Sequence, residues 1–286
     1  FPDGHEGEEG EVLYEEIERQ IIADTDIELD ISHVNWFSVY KVHSRAVERF
    51  SEKKIFLAGD AAHIHTPAGA QGMNTGIQDA YNLAWKLDLV LKGKANENIL
   101  NSYNEERHAN AHRLLQTTDR FFQFGASPEW FVSFFRVHIF PYIANFALHL
   151  DIVKRAIFPL VSQIGINYRD GSLSEDNAGL NVKAGDRMPY FEIDGTSFYD
   201  RLREPRFHLI VFSDGKESDL GLSHELIDRH SETFDVHVLP LYPDIVRKFG
   251  TDSSFFILLR PDNYIGLISS GNSSEEISMY LDKILL

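Results

Sequence analysis

Along Glu11–Ala23 the apolar residues Val12, Leu13, Ile17, Ile21 and Ile22 recur at helical spacing, which predicts a helix with one buried stripe. The run NWFSVYKVHSRAV (Asn35–Val47) is rich in aromatic and β-branched residues and predicts a strand. Ile55–Ala58 is uninterrupted IFLA, the pattern of a strand covered on both faces. A loop of small residues follows, then a helix from about Asn74 to Leu91 with the stripe Ile77, Ala80, Ala84, Leu87 and Leu91, stopped by Gly93. A second helix is predicted from Ile99 to about Gln123. The aromatic stretch Trp130–Ile166 reads as helices buried by packing, with a dimer face or a substrate wall as the other readings.

Asn167–Pro189 changes character: it is dense in Gly, Asn, Asp and Ser and reads as a linker. Beyond it FHLIVFSD predicts a strand, LGLSHELIDRHSETF a helix, VHVLPLY a strand and DIVRKF a short helix. SFFILLRPDNYIGLIS predicts a hairpin and SSEEISMYLDKILL a closing helix. Alternating β and α elements followed by a hairpin and a helix is the thioredoxin-like order. The expected fold class is therefore α/β (α+β), with a first domain over 1–166, a linker over 167–189 and a thioredoxin-like domain over 190–286.

Composition narrows the function. The 286 residues suffice for two domains. The net charge is −17, and residues 1–30 alone hold twelve acids against one arginine, the opposite of a nucleic-acid binder. That acidic run reads as a solvated edge. The chain has no cysteine, which removes disulfides, thiolate metal sites and dithiol redox chemistry. Trp130–Ile166 is broken by Arg136, His138, Pro141, Asp151, Lys154, Arg155 and Pro159, so a membrane span is not expected and a cytoplasmic protein is. The opening FPDGHEGEEGE has neither Met nor a signal-peptide pattern and reads like a chain entered in the middle.

The chemistry concentrates in IFLAGDAAHIHTPAGAQGMNTGIQDAYNLAWKLDLVLKG (Ile55–Gly93). Asp60 follows a strand end, where an open α/β sheet binds ligands, and its carboxylate can accept hydrogen bonds from sugar-like hydroxyls. Gly69, Gly72 and Gly76 allow bare backbone amides to approach a flat or anionic group. Asn74 and Thr75 are expected N-caps, placing the positive end of a helix beside that group. A polyol contact, bare amides and a helix start together suit a flavin.

GDAAHIHTPAGAQGMNTGIQDAYNLAWKL closely resembles the second flavin-binding motif of the FAD-dependent aromatic hydroxylases of the phenol 2-monooxygenase and para-hydroxybenzoate hydroxylase kind. YKVHSRAVERF, YNEER and NYRDGSL also look like that family, and AGDRMP with LLRPDNYIG resembles the thioredoxin-like tail of its phenol-hydroxylase branch. In that tail Asn263 replaces an expected Gly. The resemblance spans nearly the whole chain and is strongest from about Val34 to Arg107. It implies that Asp60 binds the ribityl hydroxyls and that Pro67 shapes the loop beside the ring. Gly69, Gln71, Gly72, Met73 and Asn74 would line the pyrimidine end, mostly through main chain. Arg45 would either position the flavin region or sit in a structural ion pair.

The implied activity is hydroxylation of a small aromatic, phenol-like substrate by O2, with FAD reduced by NAD(P)H and oxygen delivered through a flavin C4a-hydroperoxide. The resemblance allows a homodimer and nominates no catalytic acid or base. The family's strand–G-x-G-x-x-G–helix unit for the ADP half of FAD is not found in this sequence. The expectation is thus the C-terminal part of a longer hydroxylase. The competing readings are a non-catalytic, dimerising fragment and an epoxidase, halogenase or dehydrogenase on the same scaffold. His63 and His65 form an H-x-H pair, but no third metal ligand is signposted, and no G-x-S-x-G elbow marks a hydrolase.

Overall fold

The computed structural model describes residues 14–25, 33–36, 38, 43–67, 71–127, 129–215, 234–270 and 274–286. Its largest sheet is built from strands β8 (Phe207–Ser213), β10 (Phe255–Leu259) and β11 (Ile265–Ser269), all but the last residue of β8 buried. Continuous apolar runs such as FFILL are stable as strands only when both faces are covered. The order is β5-β11-β10-β8-β9, with β5 at Glu175–Asn177 and β9 at Phe234–Pro240. β8 and β9 are parallel, as are β11 and β5, whereas β10 is antiparallel to both of its neighbours. Phe212, Ile257 and Leu259 on one face pack with Phe249 of the helix Pro243–Phe249. Leu209, Leu258 and Leu267 on the other meet Ile277 and Leu281 of the closing helix Ser274–Ile284. Asn263, in the β10–β11 turn, has φ +61, a left-handed conformation that asparagine tolerates in place of glycine.

In the first half of the chain α1 is Tyr14–Thr25, β1 Arg45–Ala46, β2 Ser51–Glu52, β3 Ile55–Phe56 and β4 His63–Ile64. Helix α2 is Gly72–Leu91, and α3 is Asn101–Ala126, entered through a tight turn at Glu97–Leu100 that the Asn96 side chain caps. Two expectations fail here. Ile55 is 69% exposed, and among the described residues β3 pairs with β2 alone. The long strand predicted over Asn35–Val47 is seen only as β1, much of that stretch lying outside the described residues.

The Gly- and Asn-dense stretch 167–189 is not slack. Tyr168, Leu173, Ala184 and Met188 are buried in it, and β5 joins the main sheet. Its glycines make tight turns: Gly185, at φ +84, lies so close to the Tyr168–Arg169 peptide that a Cβ would overlap it at 2.4 Å. The two halves also share a core, since Trp85, Ala95 and Ile99 pack on the sheet with Phe207 and Leu209. The helix predicted at LGLSHELIDRHSETF lies outside the described residues except for its last, Phe234, which opens β9.

Helices α4 (Trp130–Phe134), α5 (Phe140–His149) and α6 (Asp151–Val161) correct a third expectation. Their aromatic residues are on the surface rather than buried, with Trp130 80% and Phe146 71% exposed. One wider turn, Phe135–Ile139, joins α4 to α5, so Trp130–His149 is a single helical run of 20 residues. By length and composition alone it is long and apolar enough to cross a membrane, contrary to the reading of its sequence. Arg136 ties this run to α3 by donating to the carbonyls of Phe124 and Gly125.

Candidate functional site

Between β3 and β4 the chain makes one tight turn, Gly59–Ala61. Gly59 has φ +59, and a Cβ added to Gly76 would sit 3.3 Å from the Gly59 Cα. This glycine pair lets the turn lie directly on the first turns of α2. Asp60 is carried outward on it: its carboxylate is exposed and takes part in no hydrogen bond or ion pair among the described residues.

Helix α2 begins at Gly72, two residues earlier than expected, so Asn74 and Thr75 lie inside its first turn rather than capping it. The Thr75 hydroxyl donates back to the Gln71 carbonyl instead. Among the described residues no side chain caps this N-terminus, so the positive end of the helix is not neutralised there, and the His65 ring lies against Gly72, its Nε2 3.2 Å from where a Cβ would sit. Met73 and Asn74 are exposed, Gly72 half-buried and Gln71 buried, while Pro67 is exposed at the head of the loop. Gly69 lies outside the described residues. Arg45 is exposed on β1, opposite Ile64, and makes no ion pair among the described residues.

What holds this open face in place is buried and polar. The Asp79 carboxylate accepts the Gly59 N–H at 3.0 Å and the Arg107 Nε–H at 2.7 Å, and bonds His63 Nε2 at 2.8 Å. His63 is thereby engaged as a strut of the Asp60 turn. Burial opposes ionisation of Asp79, but His63, Arg107 and the Gly59 amide outweigh it and hold its carboxyl below the usual range. Arg107 also donates to the Tyr168 hydroxyl at 2.8 Å and the Thr75 carbonyl at 3.2 Å.

One turn along, a second cluster joins the two halves. Glu106 accepts from Lys86 Nζ at 2.9 Å, Asn82 Nδ2 at 2.7 Å and both terminal nitrogens of Arg260, at 2.5 and 3.0 Å. Asp262 accepts from Arg260 and from Trp85 Nε1. Burial works against the Glu106 charge, yet Arg260 and Lys86 bring its carboxyl down to about 2. Burial dominates at Lys86 and pulls it down to about 8.

These residues lie within the family-like motifs without a signposted role, and the hydrophobic stripe of α2 points to the wrong face. Ile77, Ala80, Ala84 and Leu91 of the predicted stripe are exposed, whereas Thr75, Asp79, Asn82 and Lys86 are buried. Their spacing of four, three and four residues was the available signal: a polar stripe at helical period is a buried face when its partners are buried too.

Residues 2–118 match a family model described as FAD binding domain. A flavin-dependent monooxygenase of Mycobacteroides abscessus is 33% identical over 255 residues, which are 88% of this chain and 44% of that protein. Pentachlorophenol 4-monooxygenase of Sphingobium chlorophenolicum is 27% identical over 93% of this chain and 51% of its own length. The crystal structure of CabE, an aromatic hydroxylase from angucycline biosynthesis, superposes with a TM-score of 0.69 at 28% identity, over 96% of this chain and 53% of that one. Over most of its length the chain is similar to flavin-dependent and aromatic-ring monooxygenases, and its first part carries their FAD binding domain. It spans about half the length of the curated relatives it matches. The residues present fit the flavin of that family: among the described residues the Asp60 carboxylate has no partner and suits a polyol, and the α2 start, against which the His65 ring lies at Gly72, carries no side-chain cap and suits an electron-rich ring edge.

Proposed function

We propose that this chain supplies the Asp60–Asn74 wall of an FAD site in an NAD(P)H-using monooxygenase that hydroxylates a small, phenol-like aromatic ring with O2. The observation that carries the reading is the pairing, among the described residues, of an exposed carboxylate at Asp60 that has no partner with an α2 N-terminus that has no side-chain cap, the Asp60 turn being held to α2 by Asp79. The chemistry supplied by bound FAD is its reduction by NAD(P)H and the transfer of one oxygen atom to the aromatic ring. The protein's part is orientation. Asp60 accepts hydrogen bonds from the ribityl hydroxyls, and the first-turn amides of α2 stabilise negative charge on the pyrimidine edge of the ring. Pro67, Gly69, Gln71, Gly72, Met73 and Asn74 shape that edge mostly with main chain, and Arg45 adds a cation nearby.

Replacing Asp60 with alanine is expected to weaken FAD retention about 10-fold or more, the worth of hydrogen bonds to a charged group. Because Asp60 is exposed and unpartnered, the thermal midpoint should move by no more than about 2 °C. Flavin absorbance after dialysis, read beside a melting curve, checks both. Equal flavin in wild type and variant would remove Asp60 from the site.

The tail, with its parallel β8–β9 pair, antiparallel β10 and β11 and closing helix, supports the thioredoxin-like reading, with 167–189 stitched into it. Its setting is that of a cytoplasmic enzyme. The aromatic face of α4–α6, including Trp130, Tyr142 and Phe146, supports a homodimer that covers it. Phe146→Asp is then expected to leave the fold intact and to shift sedimentation toward the monomer. An unchanged sedimentation profile would place the contact elsewhere.

A further inference from the structure

The C-terminal sheet has no cysteine with which to act on disulfides, yet it sends its most deeply buried polar side chain into the other half of the molecule. Arg260 leaves the end of β10 fully buried, lies 5.4 Å over the rings of Trp85 and Tyr168, and forks onto Glu106 of α3. Asp262, two residues on, holds the other edge of the guanidinium and takes the Trp85 indole N–H of α2.

From Glu106 the connection is covalent to Arg107, and from there it is a series of buried polar contacts. Arg107 reaches Asp79, and Asp79 accepts the Gly59 N–H immediately before Asp60. Tyr168 closes a second link, its hydroxyl accepting from Arg107 while its ring faces Arg260. Arg260, Glu106, Arg107 and Asp79 are each no more than 3% exposed, so water has no access to substitute for a broken link.

We propose that the C-terminal sheet works as a clamp on the flavin loop, with Arg260 as a positioning residue. Through Glu106, Arg107 and Asp79 it fixes the Gly59–Asp60 turn and the start of α2 in the conformation that receives the cofactor. The clamp is a property of the polypeptide. Its consequence for FAD rests on the reading of Asp60 given above.

The test is amide hydrogen exchange on the full chain, comparing wild type with Arg260→Lys and Asp262→Asn. Lysine keeps the charge but loses the fork, and asparagine keeps the shape of Asp262, so a folded protein is available if one variant fails. The Gly59 amide is expected to exchange about 10-fold faster in either variant, while Phe256 and Leu258 in β10 stay within about 2-fold of wild type. Faster exchange in β10 with Gly59 unchanged would overturn the clamp, since the loss would then be confined to the tail.

FAD titration supplies the second readout. Arg260→Lys should raise the FAD dissociation constant several-fold in the wild-type background and leave it unchanged in an Asp60→Ala background, the non-additivity of residues acting in series. Independent, multiplicative effects would overturn the positioning role. If Gly59 responds to Arg260→Lys but wild type takes up no FAD, the clamp stands and the cofactor reading falls.

Discussion

Glu106→Gln is expected to destabilise the protein by about 3–5 kcal/mol, the loss that follows when one member of a buried ion cluster is removed. Glu106 is the shared anion of Lys86 and Arg260, all three side chains being fully shielded from solvent. After the substitution Arg260 keeps Asp262, but Lys86 loses its anion, and the glutamine NH2 must face a donor, either Lys86 or Arg260, because only one amide oxygen remains to accept. The effect should be pH-dependent on both sides. With its carboxyl at about 2 against an ordinary 4.5, Glu106 contributes stability that is present above about pH 4.5 and is lost as the pH falls toward 2. That contribution is about 3 kcal/mol. The gap between wild type and variant should therefore narrow between pH 6 and pH 3. On the alkaline side, Lys86 is already pulled down to about 8 by burial, and loss of Glu106 lowers it further. A base depressed in the folded state gains stability as pH rises above that value, so the variant should recover part of its deficit near pH 9. Urea unfolding at pH 3, 6 and 9 measures all three points. A deficit under about 1 kcal/mol, or one independent of pH, would mean that the cluster relaxes or admits water.

How much of this was legible in the sequence depends on what each residue answers to. The main sheet was legible because β8, β10 and β11 are short runs with no polar interruption, a pattern with few other uses in a soluble fold. The Asp60 turn was legible because glycines, an outward acid and a helix start follow local backbone rules. The buried face of α2 was not. Asp79, Asn82 and Lys86 look like a solvated face until their partners Glu106, Arg107 and Arg260 are placed, and the last of these is 174 positions from Lys86. Hydrophobic periodicity then selects Ile77, Ala80 and Ala84, which the fold leaves exposed. Stretch 167–189 misled for a related reason: Gly and Asn mark turns, and turns occur in packed structure as well as in linkers. The aromatic helices α4–α6 were read as buried because their composition asks for a cover that sequence cannot locate.

Asp79→Asn separates the scaffold from the site it supports. The carboxylate receives three partners, Arg107, His63 and the Gly59 N–H. An amide of the same shape offers one acceptor and turns its NH2 toward a group that also donates, so at least one contact becomes a clash of donors. Arg107 is then left fully buried without an anion, and the expected loss is again about 3–5 kcal/mol. Because the Asp79 carboxyl is held below its ordinary value, the wild-type advantage is present above that ordinary value and shrinks as the pH falls below it. Flavin retention should fall together with stability, since the Gly59 N–H no longer pins the turn that carries Asp60. Asp60→Ala should remove flavin at an unchanged midpoint, Asp79→Asn should change both, and addition of FAD should raise the melting temperature of wild type more than that of either variant. A wild-type midpoint in Asp79→Asn would show that the Arg107 charge is compensated by Tyr168 and Thr75 alone, and the turn would then owe its shape to the Gly59–Gly76 contact rather than to the carboxylate.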